Sequence, residues 1–132
     1  MLRIGAAVVL AVHGLIHLIG FVVPWQLAAI EGFPYRTALL NETLEVGDSG
    51  ARFVGLIWLV LAVGFGIAAS GLWRGRHWAL LATVLLAAGS LVVCVLGLPE
   101  AGLGVLINVL ILASVTYVTM TTPKRVRRVA RP

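Results

Sequence analysis

The sequence predicts an all-α protein whose four helices cross a lipid bilayer as an antiparallel bundle. Of its 132 residues, 61% are hydrophobic and only 11% are charged, whereas soluble domains carry about 25% charged residues. Four apolar stretches each reach the roughly 20 residues that a helix needs to cross the hydrocarbon region. Because lipid offers no hydrogen bonds to the backbone, each stretch is expected to be helical.

The predicted spans follow these stretches in chain order within a single domain of residues 1–132. They cover residues 4–25, 53–73, 78–98 and 102–120, and none contains Lys, Arg, Asp or Glu. The first span resembles a signal peptide, but its apolar run exceeds the usual core of about 7–15 residues, so we interpret it as a retained anchor. Residues 31–51 form the one sizeable polar loop. The other turns are short, which predicts that spans two, three and four are antiparallel neighbours.

Basic residues collect on one side of the predicted bundle. Eight of the ten lie before span one, between spans two and three, or in the tail of residues 123–132, namely Arg3, Arg74, Arg76, Lys124, Arg125, Arg127, Arg128 and Arg131. The opposite side holds Arg36, Arg52 and all five acidic residues. The positive-inside rule therefore places both termini in the cytoplasm, as N-in and C-in. The basic residues at the surface are expected to attract anionic lipid headgroups.

The same residues exclude several classes of function. A net charge of +5 does not indicate nucleic-acid binding here, because the basic residues flank apolar spans. Cys94 is the single cysteine, so the chain has neither an internal disulfide nor a Cys-x-x-Cys redox pair. No phosphate loop, nucleophile elbow or paired carboxylates are present, so hydrolase and kinase chemistry have no support. The sequence does not identify a cofactor, and it favours a protein that is not an enzyme.

Four polar side chains interrupt the apolar spans. His13 and His17 stand one helical turn apart in span one, so both rings share a face. Counting about 1.5 Å per residue along each span places Asn108 at a depth between the two histidines, and Ser90 at nearly the same depth. Small residues accompany them in strips that allow close helix packing, for example Thr83, Ala87, Ser90, Cys94 and Gly97 in span three. If these faces point inward, the four polar side chains meet in one layer.

This polar layer has several interpretations. The first is structural: His13, His17, Asn108 and Ser90 join the helices by hydrogen bonds. A neutral His13 that donates to a carbonyl, with Asn108 bridging to His17, would satisfy this interpretation. A second is a site that handles a proton or a ligand, since histidine titrates near neutral pH. A third is a metal site on His13 and His17, although no carboxylate within the spans completes a tetrahedron. A haem between opposed histidines has weaker support still, because one helix cannot supply axial ligands to both faces of the ring.

The segment from Val12 to Phe21, with His13-Gly14 and Leu18-Ile19-Gly20-Phe21, resembles the first helix of the DoxX-like family of small bacterial membrane proteins. His17 stands where many members carry Lys. The chain is also similar to a group of four-helix bacterial proteins without an assigned activity, through His13–Leu18, Gly55–Leu59 and Gly104–Asn108. Both resemblances imply a four-helix membrane protein, and some DoxX-like proteins are linked to membrane oxidoreductase assemblies.

The sequence and these resemblances together predict a non-enzymatic component of a complex in a bacterial inner membrane, with a polar cluster at the midplane. Its expected partners are the bilayer and either further copies of itself or other subunits. The alternative is a small transporter, or a protein that handles protons or metal through His13 and His17. An enzyme that uses quinone or metal at the same place has the least support.

Overall fold

The computed structural model of the chain describes residues 2–121, which are mostly helical. In chain order the elements are α1 (Leu2–His17), α2 (Ile19–Val22), β1 (Ala38–Leu39), β2 (Leu44–Glu45), α3 (Gly47–Trp73), α4 (Trp78–Leu96) and α5 (Gly102–Thr121). The predicted headgroup-binding residues Lys124, Arg125, Arg127 and Arg128 lie outside the described residues.

Four helices are long and apolar enough to cross a membrane, as the sequence predicted. They are the segment Arg3–Val22, which joins α1 to α2, and the helices α3, α4 and α5. Most side chains of α5 are exposed, and only Asn108 and Ile111 of this helix are buried. An exposed surface of this composition is suited to lipid rather than to water.

The helices differ from the predicted spans at several boundaries, most of all at the start of the second span. α3 begins at Gly47, six residues before the predicted start at residue 53, and its first turn contains Asp48, whose negative charge is favourable at a helix N-terminus. The first span is interrupted at Leu18, whose backbone N–H donates to the carbonyl oxygen of Leu15 at 3.1 Å. This bond to a residue only three positions back tightens the helix between α1 and α2.

The helices pack in the sequence α1, α3, α4, α5, each against the next. Gly14 brings α1 close to α3, because a Cβ atom at this position would lie 3.0 Å from the carbonyl oxygen of Ala62. The small residues Thr83, Ala87, Ser90 and Cys94 of α4 are buried, as the predicted strip requires. Phe65 is the largest of the fully buried side chains, and it lies at the centre of the core.

The segment between α2 and α3, residues 23–46, folds over one end of the long helices and is called the loop segment below. Its strands β1 and β2 form a two-stranded antiparallel pair. The backbone N–H of Leu40 donates to the carbonyl oxygen of Leu96 at 2.8 Å. Arg36 forms ion pairs with Glu42 at 2.7 Å and with Glu100 at 2.9 Å. These contacts tie the loop segment to the turn between α4 and α5.

Tyr35 connects the loop segment to the start of α3 through its hydroxyl group, which donates to Asp48 Oδ1 at 2.6 Å. This hydrogen bond raises the pKa of Tyr35 above its ordinary value, because a proton held by a carboxylate is harder to remove. The stabilisation is complete below the pKa of a free tyrosine, about 10, and is lost as the pH rises through the higher pKa of the folded protein.

We therefore expect the Asp48→Asn variant to lower the pKa of Tyr35. The tyrosinate absorbance of a Tyr117→Phe background, in which Tyr35 is the remaining tyrosine, measures this pKa directly. Glu31→Asn removes an acidic residue of the loop segment itself and is expected to leave the pKa of Tyr35 unchanged. Equal titration curves for Asp48→Asn and the background would contradict the assigned cause.

Candidate functional site

The structure brings the four sequence-predicted polar residues together at one level of the fold. His13 and His17 come from α1, Ser90 from α4 and Asn108 from α5, and each is at most 2% exposed. His13 is the eleventh residue of the twenty-residue segment Arg3–Val22, so the group lies near the middle of that helix. We call these four residues the polar ring, because their hydrogen bonds close on themselves.

The orientation of the Asn108 amide follows from its surroundings. Asn108 Nδ2 lies 2.8 Å from the carbonyl oxygen of Gly104, and a carbonyl oxygen can only accept, so the amide nitrogen must face it. Asn108 Oδ1 then faces His13 Nε2 at 3.2 Å. Since Oδ1 can only accept, His13 Nε2 carries the proton and donates it. The second amide proton is donated to Ser90 Oγ at 2.8 Å.

The protonation of His17 follows in the same way from a second backbone carbonyl. His17 Nδ1 lies 2.9 Å from the carbonyl oxygen of His13, so Nδ1 carries the proton and donates. In the neutral ring Nε2 is then an acceptor, and Ser90 Oγ donates to it at 2.6 Å. Ser90 thus accepts from Asn108 and donates to His17. Every hydrogen bond of the polar ring is satisfied with both histidines neutral.

This arrangement differs in two respects from the hydrogen bonds that the structural interpretation predicts. That interpretation has His13 donating to a backbone carbonyl and Asn108 bridging to His17. In the structure His17 donates to the carbonyl, because its ring reaches back one helical turn, and Ser90 forms the bridge. His13 Nδ1 is consequently left over: within residues 2–121 this buried nitrogen has no hydrogen-bond partner.

Two aromatic residues of α3 hold the histidine rings in place. The Phe65 ring meets both imidazoles edge to face, with centroid distances of 4.9 Å to His13 and 5.2 Å to His17. Trp58 contacts His17 in a similar geometry at 5.0 Å. Such contacts favour one ring orientation over others. Neither residue was among the site residues predicted from the sequence, although their spacing of seven places them on one face of a helix.

A cavity of about 210 Å³ connects the polar ring with the loop segment. His13 and His17 line one end, and Arg36, Glu42 and Glu100 line the other. His13 and Val23 both line the cavity and are ten residues apart. At about 1.5 Å per residue, the cavity therefore follows the first span over roughly 15 Å. The walls between the two ends are mainly apolar and include Ile16, Val54, Trp58, Leu103 and Ile107.

The cavity also reaches the outer surface of the helices. Ile16 of α1 and Leu103 of α5 line it, and these side chains are 44% and 66% exposed. The wall of the cavity therefore includes side chains of the surface that the composition assigns to lipid. Ser90 and Asn108 do not line the cavity and are fully buried behind the histidines.

This geometry limits the chemistry of the site. Ser90 and His17 are at the distance of a nucleophile and its base, but a nucleophile must meet its substrate, and the Ser90 side chain is enclosed. Cys94 lines the cavity and lies 3.6 Å from Asn108 Nδ2, which makes its sulfur a weak acceptor there. Ser90 therefore does not reach the cavity as a nucleophile would have to.

The predicted metal site needs both histidines. Both ring nitrogens of His17 are already hydrogen bonded, so a metal ion shared with His13 would have to break one of these bonds. Among residues 2–121, His, Cys, Asp and Glu form no group of three or more that could hold a metal ion. The metal assignment to His13 and His17 therefore stays a prediction from the sequence.

Comparison with known proteins adds no identification to this geometry. Protein-family models, curated proteins and solved structures were all searched, and none of them matches the chain.

Proposed function

We propose that the protein is a small multi-pass protein of the bacterial inner membrane that binds a membrane-soluble small molecule and does not convert it. The cavity that leads to the histidine pair carries this proposal. Its apolar walls and its few polar groups at one end are typical of small-molecule sites. The enclosure of Ser90 behind His17 supports binding without catalysis.

The proposed topology is an antiparallel bundle with both termini in the cytoplasm. Arg74 and Arg76 lie in the turn between α3 and α4, at the opposite end of α4 from Glu100 and the loop segment. This distribution follows the positive-inside rule. The loop segment and the mouth of the cavity then face the outside of the inner membrane.

We further propose that the protein serves as a DoxX-like subunit of a membrane complex. The motif residues His13, Gly14, Gly20 and Phe21 support the family, and the exposed apolar surface of α5 offers room for other copies or other subunits. A ligand-binding subunit of such a complex would present its molecule to a partner that performs the chemistry.

A second candidate is a small transporter. The cavity reaches from the loop segment to the middle of the first span, and binding near the bilayer midplane is typical of transporters. Beyond the histidines the interior is filled by buried side chains, among them Leu10, Ala69 and Leu72. Transport would need these helices to separate, and flux into vesicles containing the purified protein distinguishes a transporter from a binding protein.

The binding proposal is tested with Trp58, which lines the cavity. In a protein with Trp25, Trp73 and Trp78 replaced by phenylalanine, Trp58 is the remaining tryptophan. We expect 1-bromohexane in nanodiscs to quench its fluorescence by direct contact. Ala101→Leu, which fills part of the cavity, is expected to reduce this quenching at least twofold.

The matched control is Ala113→Leu, which adds the same atoms to an exposed position of α5 that does not line the cavity. Its quenching is expected to equal that of the parent protein. If Ala101→Leu and Ala113→Leu are quenched equally, 1-bromohexane reaches Trp58 only from the lipid, and the binding proposal is wrong.

A further inference from the structure

His13 has one ring nitrogen that the polar ring does not use. Nε2 is committed as a donor to Asn108 Oδ1, so the neutral imidazole carries a bare electron pair on Nδ1. The residue is 2% exposed, and no residue of the described chain donates to this atom. A buried acceptor without a donor is unfavourable, and His13 lines the cavity.

We infer that the cavity takes a neutral, hydroxyl-bearing chain molecule from the lipid, whose O–H group donates to His13 Nδ1. This inference rests on the proposed binding function and names its ligand class. An acceptor on the protein requires a donor on the ligand, and a hydroxyl group is the simplest neutral donor that lipid tolerates.

Charged headgroups fit the site less well. A carboxylate has no proton to donate to His13, and the nearest cation that lines the cavity, Arg36, is already paired with Glu42 and Glu100. An ammonium group can donate, but none of the four candidate spans places a carboxylate near the histidines to balance its charge. Burying an uncompensated charge is costly.

Cavity size and shape define the rest of the molecule. A volume of about 210 Å³ corresponds to roughly seven water volumes, or about seven non-hydrogen atoms. The apolar walls favour an alkyl chain behind the hydroxyl group. A longer chain can continue between Ile16 and Leu103, whose exposed side chains mark where the cavity reaches the lipid-facing surface.

The test compares an alcohol with its methyl ether, in which a methyl group replaces the hydroxyl proton. 6-Bromohexan-1-ol can donate to His13, whereas its methyl ether, 1-bromo-6-methoxyhexane, cannot. Both quench Trp58 in the single-tryptophan protein, and we expect the alcohol to bind about tenfold more tightly, as the net effect of one buried hydrogen bond. 6-Bromohexanoate and 6-bromohexylammonium are expected to bind more weakly than the alcohol, and the reverse order would overturn the ligand class.

Two variants locate the effect. His13→Phe keeps an aromatic ring of similar shape and is expected to bring the alcohol-to-ether ratio to about one. Ser114→Ala removes a hydroxyl group from an exposed position of α5 that does not line the cavity, and it leaves His13 Nδ1 in place, so its ratio is expected to stay near that of the parent. A preference for the alcohol that survives in His13→Phe would show that the hydroxyl group is bound elsewhere.

A measurement on the unaltered protein covers the case in which His13→Phe does not fold. With ¹⁵N-labelled histidine, the resonance of the unprotonated His13 Nδ1 is expected to shift on addition of the alcohol and not of the ether. If neither probe moves it, the inference is wrong. If the alcohol and the ether bind equally but Ala101→Leu still reduces quenching by 1-bromohexane, only the ligand class is wrong. If Ala101→Leu does not reduce this quenching, the binding function itself is wrong.

Discussion

Replacing Asn108 by alanine is expected to lower the free energy of unfolding by about 2 kcal/mol, because a buried donor left without its acceptor costs roughly 1–3 kcal/mol. The orphaned donor is His13 Nε2, which meets Asn108 Oδ1 in the folded protein. Ser90 also loses the amide proton that it accepts. Reversible unfolding in mixed detergent micelles measures the change.

Ser114→Ala is the matched control for this prediction, since it removes a polar group from an exposed position of the same helix. Its effect is expected to stay within about 0.5 kcal/mol. Asn108→Leu separates hydrogen bonding from packing, because leucine has the same branched shape without polar atoms. Stability equal to the wild type in Asn108→Leu would show that the polar ring contributes nothing to folding.

The polar ring explains why this layer can be both stabilising and available for binding. Two backbone carbonyls, those of Gly104 and His13, fix the amide of Asn108 and the ring of His17. Ser90 then accepts from Asn108 and donates to His17, and neither bond needs a charged group. Only His13 Nδ1 is left outside the closed set, so a hydrogen bond to this atom would not replace one that holds the helices together.

Much of this site was predictable from spacing and depth alone. The interval of four between His13 and His17 puts the rings on one helical face, and counting residues from the span ends places Ser90 and Asn108 at the same level. Both arguments need only the regular geometry of a helix. The four long apolar helices are confirmed for the same reason, since length and composition decide whether a helix can cross a bilayer.

The remaining features depend on side chains that are distant in the sequence. Which nitrogen of His17 carries the proton depends on the His13 carbonyl, and sequence periodicity does not contain this choice. The contacts of Phe65 and Trp58 with the histidines depend on how α3 is rotated against α1. The position of the loop segment is equally absent from local sequence patterns. The Arg36–Glu100 ion pair joins residues from two loops that are far apart in the sequence.

The rotation of α3 against α1 depends on a glycine, and this leads to the second large effect. A Cβ atom at Gly14 would lie 2.9 Å from Phe65 Cβ and 3.0 Å from the carbonyl oxygen of Ala62. Backbone atoms cannot move aside as a flexible side chain can, so Gly14→Ala must push the two helices apart. We expect it to lower the free energy of unfolding by about 2 kcal/mol, within the usual range for overpacking.

Gly5→Ala provides the contrast, since nothing in the described chain lies within 4 Å of a Cβ atom at Gly5 of the same helix. Alanine is the better helix former by about 0.5–1 kcal/mol, so this variant is expected to be at least as stable as the parent. Because Phe65 contacts both histidines, Gly14→Ala should also weaken the binding of 6-bromohexan-1-ol, while Gly5→Ala leaves it unchanged. Equal stability of the two variants would mean that α1 and α3 are not in close contact at Gly14, and the position assigned to His13 beside Phe65 would then be wrong as well.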